Sequence, residues 1–98
     1  MVIWTPRARA DLKAIHDYIA QASPMNAKPV INAITEKAAT LAELPRMGKV
    51  VPEAKDEQLR EIGVHSWRVI YHLHDHRVHI VTVVHKRRQL KNKDIPRV

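Results

Sequence analysis

Apolar positions along this chain recur with two different periods, and the change of period marks its elements. Residues 1 to 5 alternate and are rich in strand-forming types, which predicts a short first strand. Thr5-Pro6 then reads as a helix start, with Thr as the N-cap and Pro at the first helical position. Ala8, Leu12, Ile15, Ile19 and Ala22 follow at spacings of four and three, one face of a helix that Ser23-Pro24 ends. A second helix is expected to begin near Asn26, with Pro29 in its first turn, where a missing N–H costs little. Its apolar stripe is Ile31, Ile34, Ala38 and Leu41, and Leu44-Pro45 ends it. Residues 45 to 57 read as a loop. Residues 58–64, 67–74 and 77–85 each read as strands. The expected architecture is α+β in the order β-α-α-β-β-β: one domain spanning residues 1–98, with an N-terminal helical hairpin packed on a small antiparallel sheet.

The last two strands fix which residues share a face. A two-residue turn at Asp75-His76 places Trp67 opposite Val84, Val69 opposite Thr82, Tyr71 opposite Ile80 and Leu73 opposite Val78. That side is almost wholly apolar and is expected to pack on the helices, burying Trp67 and Tyr71. The other side then carries Arg68 opposite Val83, Ile70 opposite Val81, His72 opposite His79 and His74 opposite Arg77. His85 extends this second side, diagonal to Arg68, roughly 7–8 Å away at the backbone. The expectation is an open sheet face on which Arg68 and His85 meet.

Charge sharpens this picture. The 98 residues carry a formal net charge of +7, and the tail from Lys86 to Val98 holds six basic residues against one acid. This cationic run abuts a strand end rather than trailing from a linker, which favours a polyanionic partner over a merely solvated tail. Arginine offers a planar fork that matches phosphate, and histidine transfers protons near neutral pH. Arg68 and His85, together with the flanking run Lys86-Arg87-Arg88, are therefore a candidate constellation for RNA cleavage through 2′-hydroxyl attack. Arg60, Lys86, Arg88 and Lys91 are the candidates for binding a nucleic acid or another target.

Other chemistry is less well supported. The absence of cysteine excludes disulfides and thiolate metal sites. Six of the seven histidines lie between residues 65 and 85, but they form no closed ligand set with carboxylates, so no metal is expected. No motif implies a cofactor. No apolar run approaches membrane-spanning length, and the first six residues lack the pattern of a secretory leader, so a soluble cytoplasmic protein without membrane contact is expected.

The same stretches resemble toxins of the RelE/ParE superfamily. Ile3-Trp4-Thr5, Ala10-Asp11-Leu12 and Ile15-His16-Asp17-Tyr18-Ile19 are similar to the family's opening. The segments Leu44 through Glu53, Leu59-Arg60-Glu61-Ile62, Trp67-Arg68-Val69-Ile70-Tyr71 and Val83-Val84-His85-Lys86-Arg87-Arg88 follow in the family's order. The resemblance implies the toxin of a bacterial type II toxin–antitoxin pair, held in a hetero-oligomer by a cognate antitoxin that covers its active surface. It also implies one of two targets, DNA gyrase for ParE-like members or ribosome-bound mRNA for RelE-like members. Arg68 stands where RelE-like nucleases contact the scissile phosphate. Arg87 is near a second such arginine, and His85 is where some branches place a histidine. Two departures tilt the reading towards ParE: Arg60-Glu61 replaces the RelE-like lysines, and Gln89-Leu90-Lys91 offers no tyrosine beyond the last strand. A non-toxic nucleic-acid-binding module is the alternative from a different class.

Overall fold

The computed structural model describes residues 1–98. Its elements are β1 (Val2–Trp4), α1 (Pro6–Ala22), α2 (Pro24–Ala39), β2 (Lys49–Val50), β3 (Leu59–Val64), β4 (Trp67–His74) and β5 (Arg77–His85), with single 3₁₀ turns at Thr40–Ala42 and Asn92–Asp94. The two helices pack on one five-stranded sheet of order β1-β5-β4-β3-β2. β1 runs parallel to β5, and every other pairing is antiparallel. The α+β expectation holds, with one added strand. β2 lies inside the stretch read as a loop and consists of two rungs, Lys49 on Glu61 and Val50 on Arg60. Two residues are too few to show an alternation. No helix is long and apolar enough to cross a membrane.

Local chemistry explains the helix ends. The Thr5 hydroxyl accepts the Ala8 N–H at 3.2 Å as an N-cap and donates to the Ile80 carbonyl at 2.9 Å, so it starts α1 and ties it to β5. Ser23 is the whole link between the helices, C-cap of α1 and N-cap of α2. α2 therefore starts at Pro24, earlier than expected, because a proline is well tolerated at the first helical position. Pro29 accordingly falls inside the helix and not in its first turn, where it removes the bond that Met25 would otherwise accept.

The sheet is buried on both faces. On the helix side Ala8, Ile15, Ile34, Ala38 and Leu41 meet Ile62, Val64, Val69, Tyr71, Val78, Ile80 and Val83, with Trp4 and Trp67 packed at the margin. The second face is not open. Val51, Leu59, Ile70, Val81 and Val84 are covered there by Leu90 and Ile95 of the C-terminal segment. Those two apolar side chains order a tail whose composition otherwise reads as solvated.

The β4–β5 register follows expectation from His74↔Arg77 to Tyr71↔Ile80, then slips by one residue. Ile70 pairs with Thr82, Val69 with Val83, Arg68 with Val84 and Trp67 with His85. The extra residue is a β-bulge, which leaves local donors needing partners. Asp11 of α1 supplies them: its carboxylate accepts the Thr82 hydroxyl and, at 3.1 Å, the Val83 N–H. The bulge is thus clamped to the helix, and the acid responsible sits far away in sequence.

The loop after α2 is pinned to the sheet centre by one phenol. The fully buried Tyr71 hydroxyl donates to the Pro45 carbonyl at 2.8 Å and accepts the Gly48 N–H at 2.9 Å. Gly48 has no room for a side chain, since a Cβ there would lie 2.5 Å from the Glu61 carbonyl oxygen and 2.6 Å from the Tyr71 hydroxyl. Burial raises the Tyr71 pKa above its ordinary value, which keeps the hydroxyl a donor. Tyr71→Phe leaves the buried Gly48 N–H without a partner and is expected to cost about 1–3 kcal/mol in denaturant unfolding. At the hairpin turn both Asp75 and His76 have positive φ, 54° and 59°, the geometry of a type I′ turn. His76→Gly relieves one left-handed residue and is expected to stabilise the fold by roughly 1 kcal/mol in the same assay.

Candidate functional site

Arg68 is the centre of the most structured polar site. It sits on β4 facing the tail side, opposite Gly63 of β3 and diagonal to Glu61. Its guanidinium makes a two-pronged pair with Glu53, Nη1 to Oε2 and Nη2 to Oε1 at 2.8 Å each. The Nε donates to both Glu61 oxygens at 3.3 and 3.1 Å, and Nη2 also bonds Glu61 Oε2. Arg68 and Glu61 are buried, with 9% and 7% of their surface exposed. A buried charge survives only when paired, and here one cation answers two carboxylates. Hydrogen bonding to Glu53 first, then to Glu61, raises the Arg68 pKa against the opposing effect of burial. The same guanidinium holds the Glu53 carboxyl below the usual carboxylate range.

An open cavity of about 490 Å³ lies over this network. Lys49 and Lys86 stand at its rim. Lys49 Nζ is 3.9 Å from Glu61 Oε1, and the Lys86 chain lies over Gly63, whose missing side chain gives it room. Of the residues singled out in the sequence, Arg68 and Lys86 share this cavity. Glu53 and Glu61, which decide the state of Arg68, were not singled out, although the Arg60-Glu61 pair was noted as a departure from the nuclease pattern.

His85 is placed elsewhere. The register slip puts it opposite Trp67, with its ring edge-on to the indole at 5.1 Å between centroids. Arg68 and His85 therefore do not share a face, as the unbulged pairing required. His85 Nδ1 accepts the Arg87 N–H at 3.0 Å, which sets the remaining ring proton on Nε2. The Arg88 N–H bonds the His85 carbonyl at 3.0 Å, so the chain turns sharply here and leaves Lys86, Arg87 and Arg88 exposed. Lys91 is also exposed, at the start of the 3₁₀ turn that Asp94 closes. Arg60 is half-buried, donating to the carbonyls of Glu57 and Gly48 at 3.0 Å and of Arg46 at 3.4 Å.

The histidines of the expected shared face stack rather than converge. His72 and His74 lie 5.6 Å apart as parallel rings, and His79 meets His74 edge-on at 6.0 Å. His72 Nδ1 accepts the Val98 N–H at 3.1 Å, and burial pushes its pKa down.

The ion-pair network makes two testable statements. Arg68→Ala leaves buried Glu61 with only the long 3.9 Å contact to Lys49 and is expected to cost about 3 kcal/mol in denaturant unfolding. Glu53 has a lower pKa folded than unfolded, so its stabilisation is full above the unfolded value and is lost as pH falls through the folded one. Glu53→Gln is therefore expected to flatten the acid limb of a stability–pH profile and leave no change in slope near neutrality.

Comparison with known proteins identifies the family. A family model described as the ParE toxin of the type II toxin–antitoxin system, parDE, matches residues 2–90. The protein named Toxin RelE2 from Caulobacter vibrioides is 42% identical over 88 residues, an alignment covering 89% of this chain and 96% of that protein. A solved chain of the chromosomal ParDE TA system from P. aeruginosa superposes with a TM-score of 0.74 at 21% identity, covering 86% of this chain and 92% of that one, a likeness of fold. With the family model spanning nearly all of the sequence and a curated relative aligned over almost its full length, the chain belongs to the ParE toxin family of type II toxin–antitoxin systems, within the RelE/ParE superfamily.

Proposed function

We propose that this toxin arrests growth by ParE-like inhibition of DNA gyrase, and that a cognate antitoxin neutralises it in a hetero-oligomeric complex. The observation that carries the choice of target is the engagement of Arg68. A guanidinium held by two carboxylates has its phosphate-binding fork already filled. RNA cleavage by 2′-hydroxyl attack needs a base, an acid and a free cation around one phosphate. Here His85 faces Trp67, Arg87 is displayed to water beyond the strand, and Arg68 is closed behind Glu53 and Glu61. Inhibition by binding asks for no such convergence. The exposed cations Lys86, Arg87, Arg88 and Lys91 supply a docking edge for an acidic antitoxin segment or for the target.

One observation favours the RelE-like alternative. Lys49, Lys86 and Arg68 ring a single cavity, and an RNA phosphate entering it competes with Glu53 for the guanidinium. In that case the protein is an mRNA interferase acting on the ribosome, and the carboxylates form a latch.

The two targets separate in one pair of assays. The gyrase reading expects the purified chain to inhibit supercoiling of relaxed plasmid by gyrase, and messages from arrested cells to remain uncut in primer extension. Codon-positioned cuts in the message together with uninhibited gyrase would overturn it. Under the same reading His85→Ala retains growth arrest, whereas under the nuclease reading it loses arrest by a factor of 10² or more in cleavage rate, the usual worth of an acid–base group.

A further inference from the structure

A second cavity, about 610 Å³, opens at the other end of the central hairpin, where the β4–β5 turn meets the loop after α2. It is roughly 26 Å along β5 from the cationic run, at about 3.3 Å per residue. Two segments build most of it. The turn contributes His74, His76 and Arg77, the loop contributes Arg46, and Leu73 and Val78 form an apolar floor. The elements hold these groups firmly. His74 and Arg77 form the last rung of the hairpin, and left-handed φ at Asp75 and His76 fixes the turn. The loop bearing Arg46 is tied down on either side by the Tyr71 bonds to Pro45 and Gly48, and at its own carbonyl by Arg60.

The charges here are not balanced internally. Arg7, Arg68 and Arg97 each pair with a carboxylate, and Arg60 caps carbonyls. Arg46 and Arg77 make neither kind of contact with their guanidinium groups, although both line one cavity. Asp75 is the only carboxylate among the lining residues. Two like charges brought to one concave site repel each other, and an anion is what reverses the sign of that interaction.

The geometry points to a binding site for a nucleotide unit of single-stranded nucleic acid, separate from the Arg68 cavity and from the basic tail. The Arg46 and Arg77 forks match a phosphodiester. The exposed His76 ring offers a stacking face and an N–H donor for a base, and the Leu73–Val78 floor accepts the sugar or the base edge. The volume lies in the range of sites for small organic ligands. A carboxylate side chain of an acidic peptide would satisfy the arginines but leave the His76 face and apolar floor unused. The inference holds for either target of the toxin, because it uses none of the residues on which that choice turns.

The test is titration of the full-length ¹⁵N-labelled chain with a thymidine tetranucleotide, with thymidine 5′-monophosphate, and with a tetraglutamate peptide. The tetranucleotide is expected to move the amides of residues 46 and 74–77. Arg46→Ala and Arg77→Ala should each weaken it at least about fivefold and lower the slope of log affinity against log salt by about one. His76→Ala should weaken it without changing that slope. Both arginines are exposed, so unchanged unfolding midpoints are expected and exclude misfolding as the cause. Equal affinity for the monophosphate keeps the site and assigns free nucleotide as its ligand. Shifts confined to residues 86–91, or tighter binding of tetraglutamate at residues 46 and 74–77, would overturn the inference.

Discussion

The pairing of β4 with β5 is the constraint on which the rest of this structure depends. Both strands are central, both faces of the sheet are buried, and side chains alternate, so a single extra residue decides what every position beyond it can touch. The slip at Ile70/Tyr71 turns Val83 towards the helices, Val84 towards the tail and His85 towards Trp67. It also leaves donors at Thr82 and Val83 that Asp11 satisfies, which anchors the helical hairpin. Helix position, tail position and the separation of Arg68 from His85 all follow from that one bulge.

Arg68 shows how environment determines what a residue type means. In sequence it is an arginine in a strand near a basic run, which suits a phosphate. In the fold it is a buried cation between two carboxylates, and its attraction to them opposes the cost of taking Arg68 and Glu61 out of water, while Glu53 stays half-buried. Such a group holds the loop bearing Glu53 against the sheet and gives the face between β3 and β4 a defined shape. Two groups of exposed cations stand out, one after the last strand and one at the hairpin turn. They lie at opposite ends of the molecule and suit polyanionic contacts at two separate places.

Much of this was legible in the residues, and the reasons for the rest are physical. The Thr5-Pro6 cap, the α1 stripe from Ala8 to Ile19, the bounds of the last two strands and the burial of Tyr71 are local or periodic signals, and each is present in the fold; Ala22, the expected last member of the stripe, is exposed. The start of α2 was missed because Ser23-Pro24 serves equally as a break and as a cap followed by a first helical residue. β2 was missed because two residues carry no period. The bulge left no mark because Val81, Thr82, Val83 and Val84 are all β-prone and mostly apolar, so either register buries them. The roles of Glu53 and Glu61 depend on contacts across 15 and 7 residues, respectively, and the cover supplied by Leu90 and Ile95 depends on a tail folding back. Family resemblance supplied the class of molecule where pattern alone gave only a basic α+β domain.

If Arg68 shapes the sheet face and does not act on a phosphate, then its charge is replaceable together with the charges that bind it. The direct measurement is growth arrest by a chain carrying Arg68→Met, Glu53→Gln and Glu61→Gln, purified in parallel to verify cooperative unfolding. Removing a buried ion network as a unit is commonly neutral, unlike removing one partner. The account predicts a folded chain that still arrests growth and still inhibits gyrase. A chain that folds as well as the parent yet has lost toxicity would contradict it and return Arg68 to the active chemistry.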